Sequence, residues 1–189
     1  TRRGHNPSAE VDAATAGASN LGVTRDEVEG WPDALEAVVA ACRCFDRVRV
    51  VRETASTQDV ARAAAGGTPG LVVAAGRQTQ GRGQRGRRWE QRGDLGVAVT
   101  FVAAADRSEH LSRVAGVSAL WACAEAIAGG DGAPQLGIKA PNDVVVSATG
   151  WTGGWRKLAG VLIEQGDGLA MIGVGINVGH GEEDFGPEL

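Results

Sequence analysis

Residues 71–102 read LVVAAGRQTQGRGQRGRRWEQRGDLGVAVTFV and consist of an apolar segment, a loop rich in glycine and arginine, and a second apolar segment. The segments LVVAA (71–75) and GVAVTFV (96–102) are rich in small and β-branched apolar residues, which is typical of buried β-strands. Between them, residues 76–92 contain six arginines and four glycines, opposed by a single acidic residue, Glu90. This stretch predicts two core strands joined by a strongly cationic loop.

The cationic loop contrasts with the rest of the chain, which is acidic. The 189 residues include 19 Lys+Arg and 23 Asp+Glu, giving a net charge of −4, and without residues 76–92 the balance is 13 against 22, or −9. Glycines between the arginines allow backbone N–H groups to approach an anion closely, and guanidinium groups bind phosphate or carboxylate oxygens bidentately. The loop therefore predicts a site for a small, highly charged ligand.

Lysine is scarce in this chain. There are 17 arginines but only two lysines, Lys139 in KAPND (139–143) and Lys157 in KLAGVLIE (157–164). A compact ammonium group on a flexible stem acts as a point charge in a way that a planar guanidinium does not. The two lysines are therefore candidate site residues. The alternative is that lysine occurs at these two positions by chance.

Composition narrows the class of protein. A hydrophobic content of 43% and 29 glycines fit a soluble, single-domain globular protein with many tight turns. No apolar run approaches the length of a membrane span, and the N-terminus lacks the apolar centre of a signal peptide, which predicts that no membrane is involved. The three cysteines form neither a disulfide framework nor a metal pattern, and the three histidines lie far apart. These features predict a cytoplasmic protein without a bound metal centre.

The remaining patterns predict the secondary structure. One helix starts at Pro32-Asp33, a second is capped by Ser56-Thr57 and ends at Gly66-Gly67, and a third starts at Ser108. The third helix is apolar on nearly all sides, which predicts burial in the centre of the domain. Besides the two strands above, strands are predicted at 47–51, 137–139, 144–147, 157–165 and 169–178, with antiparallel hairpins at 147–155 and 166–168. The predicted fold is α+β, with a mixed, largely antiparallel β-sheet packed against helices.

Five motifs follow one another along the chain: STQ (56–58), GRQTQGRGQRGRRW (76–89), KAPND (139–143), KLAGVLIE (157–164) and GVGINV (173–178). In order and spacing, these motifs resemble those of the catalytic domain of biotin–protein ligases, in the biotin/lipoate ligase-like family. That domain carries STN, GRGRRGR-K/R-W, KWPND, KLAGIL-E and G-GIN-V. The likeness covers roughly residues 47–180. It implies the class II aminoacyl-tRNA synthetase/biotin ligase-like catalytic fold.

The resemblance also implies a reaction. Such enzymes join biotin, as substrate, to ATP with Mg²⁺, forming biotinoyl-5′-AMP and pyrophosphate. They then pass the biotinoyl group to a lysine of a biotin carboxyl carrier protein, of acetyl-CoA carboxylase or a related carboxylase. Because a carboxylate must be brought onto an α-phosphate, fixed positive charge is needed around both anions.

The resemblance assigns residues to the biotin side. Lys139 and Arg82 are the implied catalytic residues, Lys139 bridging the carboxylate and the α-phosphate and Arg82 clamping both anions. Ser56, Thr57 and Gln58, with Gln78, would bind the ureido ring with neutral groups, although Ser56-Thr57 can also be a plain helix N-cap. The implied biotin-binding set is Ser56, Thr57, Gln58, Gln78, Arg82, Gly83, Gln84, Lys139 and Gly160.

The implied ATP side has its own set. Each of its asparagines can instead be a turn residue, Lys157 can instead cap a hairpin, and the glycines can instead mark bulges. The implied ATP-binding set is Arg85, Arg87, Trp89, Asn142, Lys157, Gly175 and Asn177.

The chain departs from the family pattern at three motif positions. Gln58 replaces asparagine, Gln84 stands where arginine is frequent, and Ala140 replaces the tryptophan of KWPND. The missing indole opens space beside Lys139, for which Trp151 or Trp155 are candidate replacements.

The expected domain organisation has two parts. Residues 1–45 are expected to be an acidic leader with one helix and no DNA-binding domain, and hence no nucleic-acid partner. Residues 46–189 are expected to be the catalytic domain, without the small C-terminal β domain of relatives, because the chain ends at FGPEL soon after GINV. The oligomeric state is open, a homodimer being one option.

Three other functions compete with biotin ligation. A lipoate– or octanoate–protein ligase would share the fold, and Ala140 with the short C-terminus is compatible with a biotin- or adenylate-binding protein that has lost turnover. An RNA-binding RGG-type segment is disfavoured, because residues 76–92 occur singly between two apolar strands and the chain has few aromatic residues.

Overall fold

The computed structural model describes residues 11–12, 28–91, 96–105, 108–127, 134–147 and 154–178. Within these segments an eight-stranded sheet has the spatial order β1-β2-β3-β6-β10-β9-β8-β7, and β4 and β5 form a separate hairpin. The strands are β1 (Val11–Asp12), β2 (Arg47–Thr54), β3 (Leu71–Gln78), β4 (Gly81–Arg82), β5 (Arg88–Trp89), β6 (Gly96–Ala104), β7 (Gln135–Lys139), β8 (Asp143–Ser147), β9 (Arg156–Gly166) and β10 (Leu169–Asn177). The helices are α1 (Trp31–Ala41), α2 (Thr57–Ala64) and α3 (Ser108–Ile127).

The predicted α+β architecture is confirmed. The first three strands of the sheet run parallel to one another, and the other pairs are antiparallel. The predicted hairpin at 166–168 is present, because Asp167 (φ 53°) and Gly168 (φ 75°) form a tight turn between β9 and β10. The connection between β8 and β9 includes residues 148–153, which lie outside the described residues, as does Trp151.

Helices cover both faces of the sheet. On one face, Ala61 and Ala65 from the α2 segment pack with Val73, Val102 and Met171. On the other, one cluster joins α1 to β2 and β3 through Val39, Val48, Val50 and Val72, and another joins α3 to β8 and β9 through Ala119, Cys123, Val144, Ala159 and Val161. Since neighbouring strand residues point to opposite faces, Val72 and Val73 belong to different clusters.

The prediction that α3 is buried in the centre of the domain is wrong. Val114, Val117 and Trp121 are exposed, Trp121 to 68% of its surface. The helix instead buries a narrow stripe of small residues, including Gly116, Ala119 and Cys123, against the sheet. Its all-round apolar composition therefore indicates one buried and one solvent-facing apolar side.

Helix α2 begins and ends as its sequence predicts. The hydroxyl oxygen of Ser56 caps the helix by accepting a hydrogen bond from the Gln58 N–H at 3.3 Å. Gly66 and Gly67, with φ of 62° and 74°, follow its end in the left-handed conformation that glycine adopts without strain. None of the helices in the described segments combines the length and apolar character that a bilayer crossing requires.

Candidate functional site

A cavity of about 860 Å³ lies on the α2 face of the sheet. It is bounded by the start of α2, the β4–β5 hairpin, the β7–β8 turn and strands β9 and β10. The structure brings all the residues predicted for the site to this cavity. They are Ser56, Thr57, Gln58, Gln78, Arg82, Gly83, Gln84, Arg85, Arg87, Trp89, Lys139, Asn142, Lys157, Gly160, Gly175 and Asn177.

The floor of the cavity consists of small residues on adjacent strands. Alternation along β10 turns Gly173 and Gly175 to the same face as Met171, while Ile172 and Val174 face α3. A Cβ atom at Gly173 would lie 2.6 Å from Gln58 Nε2, and one at Gly175 would lie 2.5 Å from Trp89 Cε2. A side chain at either position would therefore have to displace the Gln58 or Trp89 side chain that lies against the floor.

One end of the cavity is neutral and rigidly hydrogen-bonded. The backbone N–H of Thr57 donates to Gln78 Oε1 at 2.7 Å, and the Thr57 hydroxyl donates to the same oxygen at 3.0 Å. The hydroxyl of Thr100, on β6, donates to Thr57 Oγ1 at 2.8 Å. This end can hydrogen-bond a polar but uncharged group of a ligand.

Gln58 forms part of the wall beside this network. It is 4% exposed, and its Nε2 donates to the carbonyl oxygens of Leu162, at 2.9 Å, and Met171, at 3.4 Å. The amide thus ties α2 to β9 and β10. Its buried Oε1 atom has no hydrogen-bond partner among the described residues.

Arg82 is held between two carboxylates. Its NH1 and NH2 groups donate to the two oxygens of Asp59 at 2.8 and 2.9 Å, and its Nε and NH2 donate to Glu164 at 2.9 and 3.2 Å. Arg62 donates to Glu164 as well, at 3.0 Å. The hydrogen bond from Arg82 lowers the pKa of the Asp59 carboxyl, and the bonds to Asp59 and then Glu164 raise the pKa of Arg82. The charge of Arg82 is therefore largely matched by protein carboxylates.

The glycine-rich loop folds into a short hairpin over the cavity. Gly81 pairs with Trp89, and a Cβ atom at Gly81 would lie 2.6 Å from the Trp89 carbonyl oxygen. The tip turns through Arg85 and Gly86, with φ of 58° and 76°. Arg85, Arg87 and Arg88 are exposed, so the hairpin presents positive charge next to the cavity.

Lys157 points into the cavity because of an irregularity in β9. The register of β8 and β9 shifts between Val144 and Val145. Leu158 and Ala159 both contact the α3-side cluster, whereas the Lys157 side chain lies over Gly160 on the opposite face. Its Nζ is 2.7 Å from Asp143 Oδ1 and 5.3 Å from the centroid of the Trp89 ring. Lys157, Asp143 and Trp89 therefore form one cluster in the middle of the site.

Lys139 lies at the end of β7, at the mouth of the cavity, and its side chain is exposed. It is followed by a cis Ala140–Pro141 peptide bond.

Asn142 is 5% exposed, and its Nδ2 donates to the Val161 carbonyl. The Asn177 Nδ2 donates to the Lys157 carbonyl at 3.0 Å. Both asparagines therefore use their amide nitrogens to tie strands together, and each lines the cavity as well.

The family model of the biotin/lipoate A/B protein ligase family matches residues 49–179, most of the chain. This chain belongs to that family. The biotin–[acetyl-CoA-carboxylase] ligase of Mycobacterium tuberculosis is 34% identical over 162 residues, which cover 81% of this chain and 57% of the relative.

Solved structures of the family share the fold. Biotin protein ligase from Aquifex aeolicus, in complex with biotin and ATP, is 28% identical with a TM-score of 0.59, over 76% of this chain and 56% of that one. The Leishmania major biotin protein ligase in complex with biotin is 26% identical with a TM-score of 0.54, over 68% and 55% of the two chains. The chain thus spans a little more than half the length of these ligases.

Within this biotin/lipoate ligase fold, several residues were missed by sequence reasoning. Asp59 and Glu164 hold Arg82, Asp143 holds Lys157, and Thr100 extends the Thr57–Gln78 network. Asp59 directly follows STQ, Asp143 ends KAPND and Glu164 ends KLAGVLIE, so their positions carried a usable signal. Thr100 looks like any strand residue, and only the pairing of β6 with β10 places it beside the site.

Trp155, considered as a replacement for the missing indole at Ala140, lies beside strand β7. Its ring packs next to Gly137 on β7, 3.6 Å from the position of a Cβ atom there. It is absent from the residues that line the cavity, whereas Ala140 is among them. Since residues two apart in a strand share a face, Trp155 lies on the face of β7 that also carries Lys139.

Proposed function

We propose that this chain carries the catalytic site of an ATP-dependent biotin–protein ligase. It joins biotin to ATP, giving biotinoyl-5′-AMP and pyrophosphate, and transfers the biotinoyl group to a lysine of a biotin carboxyl carrier protein. One observation carries the proposal: a single cavity has a neutral hydrogen-bonding end at Thr57 and Gln78 and a cationic side at the arginine hairpin and two lysines. Biotin has the same polarity, with an uncharged bicyclic head and a carboxylate tail.

The first step requires cations around two anions. A carboxylate oxygen of biotin attacks the α-phosphorus of ATP, the bond to the bridging oxygen breaks, and pyrophosphate leaves with the electron pair. Charge accumulates on the phosphoryl oxygens in the transition state, and preorganised cations stabilise it there. Lys139 at the mouth supplies a movable ammonium group for the carboxylate and the α-phosphate, and Arg85 and Arg87 on the hairpin neutralise the triphosphate.

Lys157 and Trp89 support the nucleotide side. The Lys157 ammonium already has a counterion in Asp143, 2.7 Å away, and lies near the Trp89 ring. A phosphate that binds here would compete with Asp143 for the ammonium group. The aromatic face and the cation together suit a nucleotide, whose base stacks and whose phosphates are charged.

The donor atoms at the cavity fit Mg²⁺ bound mainly through substrate phosphates. Asp143 contributes a carboxylate, and Asn142 and Asn177 contribute amide oxygens, because their Nδ2 atoms are used by backbone carbonyls. No group of three or more His, Cys, Asp or Glu side chains within the described segments could hold a metal alone. Such a site suits Mg²⁺, which is commonly held by one or two carboxylates and substrate phosphates. Bound Mg²⁺ would neutralise phosphate charge.

The second step and its partner are supported by the relatives. The lysine amine of the acceptor attacks the carbonyl carbon of the mixed anhydride, an amide bond forms, and AMP leaves. The name of the mycobacterial relative supports a carrier protein of acetyl-CoA carboxylase, or a related carboxylase, as the acceptor.

The match over 49–179 supports a catalytic domain within the predicted 46–189. Exposed free thiols at Cys42 and Cys44 suit a cytoplasmic setting, and a homodimer stays one option for assembly.

Transfer of labelled biotin to a purified carrier domain, with ATP and Mg²⁺, tests the proposal. Label on the acceptor lysine, with one pyrophosphate released per transfer, is the expected result. Parallel reactions with lipoate and octanoate separate the two branches of the family, since turnover of those acids alone would replace biotin as the substrate. Tight biotin binding without pyrophosphate release would instead identify a binding protein.

A further inference from the structure

We infer that Gln91 is a positioning residue, which fixes the base of the β4–β5 hairpin by bonding the strands on either side of it and so holds the hairpin over bound biotin. The inference rests on the proposed function and deepens it, because it names what keeps the substrate and the mixed anhydride in the cavity. Gln91 is half-buried and follows the last hairpin residue, Trp89, by two positions.

The hairpin leaves the sheet at a place where two strands separate. Pairing between β3 and β6 ends at Ala75 and Ala98. Beyond that pair, β3 continues beside β2 as far as Gln78, and β6 begins at Gly96 beside β10. Within the described strands, the β3–β6 ladder therefore leaves backbone groups without strand partners at this split, and such groups need other partners when they are buried.

The Gln91 side chain supplies these partners. Its Nε2 donates to the carbonyl oxygens of Gly76, on β3, and Gly96, on β6, at 2.8 Å each. Its Oε1 accepts from the backbone N–H of Gln78 at 3.1 Å. The three bonds fix the direction of the amide, because a reversed amide would place its oxygen against two carbonyl oxygens. One side chain thus ties together the two strands between which the hairpin leaves the sheet.

These bonds lie close to groups that face the ligand. Gln78 lines the cavity immediately before the hairpin, and Trp89 lines it at the hairpin's end. A fixed base keeps the Trp89 ring against Gly175 on the floor of the cavity. Loss of the Gln91 amide would release the strand ends on both sides of the hairpin, so the hairpin should open more often.

The test compares wild type with Gln91→Ala, Gln91→Glu and Gln80→Ala. Gln91→Glu keeps the size of the side chain and its acceptor but loses both donated bonds, because a carboxylate has no N–H. Gln80→Ala is the matched control, since Gln80 is an exposed glutamine next to the start of the hairpin. Gln91→Met keeps the volume and serves as the variant if Gln91→Ala does not fold. Urea denaturation establishes that each variant is folded under the assay conditions.

Three measurements follow the hairpin. The rate of trypsin cleavage after Arg85, Arg87 and Arg88 reports its opening, stopped-flow dissociation of labelled biotin reports retention, and the ratio of pyrophosphate released to biotin transferred reports escape of the mixed anhydride. In both Gln91 variants, cleavage and dissociation should be about tenfold faster, as for the net loss of one or two hydrogen bonds. The ratio should rise above one. Gln80→Ala should match the wild type in all three.

Several results would overturn the inference. Cleavage and dissociation at wild-type rates in Gln91→Ala or Gln91→Glu would do so. Faster cleavage with unchanged biotin dissociation and an unchanged pyrophosphate ratio would do so as well, because a merely structural role predicts that result. Equal changes in Gln80→Ala would show that the effect does not belong to the Gln91 amide.

Failure of the ligase proposal is distinguishable from failure of this inference. If the wild type binds biotin but releases no pyrophosphate, the ligase proposal falls, and faster biotin dissociation from Gln91→Ala still supports the role of Gln91. If the wild type turns over biotin and the Gln91 variants retain it equally well, the role of Gln91 falls alone. A wild type that binds no biotin overturns both.

Discussion

The indole of Trp89 occupies the space that a side chain at Gly175 would need. Its Cε2, Cζ2 and Nε1 atoms lie 2.5, 2.7 and 2.9 Å from the position of a Cβ atom at Gly175. The β4–β5 hairpin thus packs on the sheet through the Trp89 ring, which lies directly against Gly175.

Gly175→Ala should displace Trp89 from the floor. We expect a loss of about 1–3 kcal/mol in the free energy of unfolding, as for other overpacked sites, and weaker ATP binding. Urea denaturation and ATP titration measure the two effects. Gly166→Ala is the matched control, because a Cβ there would meet only Arg62 NH1, at 3.6 Å. Equal behaviour of the two variants would contradict the seating of Trp89 on Gly175.

Lys139→Ala should strongly slow the first step, the formation of biotinoyl-5′-AMP, with little effect on folding. The side chain is exposed at the mouth of the cavity, and loss of one electrostatic group of this kind costs about 10²–10³ in rate. Pyrophosphate release under saturating biotin and ATP measures this rate. Lys157→Ala is the informative comparison, because it also leaves the Asp143 carboxylate without its ammonium partner and should disturb ATP binding. Pyrophosphate release by Lys139→Ala at the wild-type rate would exclude Lys139 from the chemistry and favour Lys157.

Arg82→Ala should accelerate biotin dissociation by releasing the hairpin. The guanidinium bridges α2 and β9 through Asp59 and Glu164, so its removal breaks this bridge, takes the bidentate partner from Asp59 and leaves Glu164 paired with Arg62. Arg82→Lys should rescue only in part, since an ammonium group lacks the planar fork that serves two carboxylates. Stopped-flow dissociation of labelled biotin is the measurement, with Arg88→Ala as the control for loss of one hairpin charge. Dissociation no faster than in the control would show that Arg82 does not hold the hairpin.

The Arg82–Asp59 pair should make stability depend on pH in the acid range. Arg82 lowers the folded-state pKa of Asp59, so the contribution is complete above the unfolded pKa of about 3.9 and is lost as the pH falls through the folded pKa. Because the Asp59 side chain is 55% exposed, the contribution should stay below about 1 kcal/mol. Thermal unfolding of wild type and Asp59→Asn at pH 7, 5 and 3 measures it. The difference between the two should shrink from pH 5 to pH 3, and a constant difference would argue against the pair.

The motif order was sufficient to predict the fold and the set of residues that meet at the cavity. STQ, the cationic loop, KAPND, KLAGVLIE and GVGINV all reach the same face because strand alternation and helix caps follow local rules. Local sequence patterns do not reveal which residues of the protein form ion pairs with a given charged side chain. Arg82 was predicted as a clamp for ligand anions, and only the three-dimensional structure reveals that Glu164, 82 residues later, already holds it.

Two further features could not be read from local patterns. The apolar positions of α3 do not distinguish a central helix from one with an exposed apolar side, because periodicity is lost when every side is apolar. The position of Thr100 beside Thr57 depends on the pairing of β3, β6 and β10, which is set by long-range contacts.

β10 comes last among the described strands along the chain yet lies inside the sheet, hydrogen-bonded to β6 and β9. Gln58 donates to the carbonyl oxygen of Met171 in this strand, so the α2 end of the site is incomplete without it. A nascent chain emerges from the ribosome with its N-terminal elements first. Ligand binding should therefore begin only after residue 177 has left the exit tunnel, and nascent chains arrested before β10 should not retain biotin.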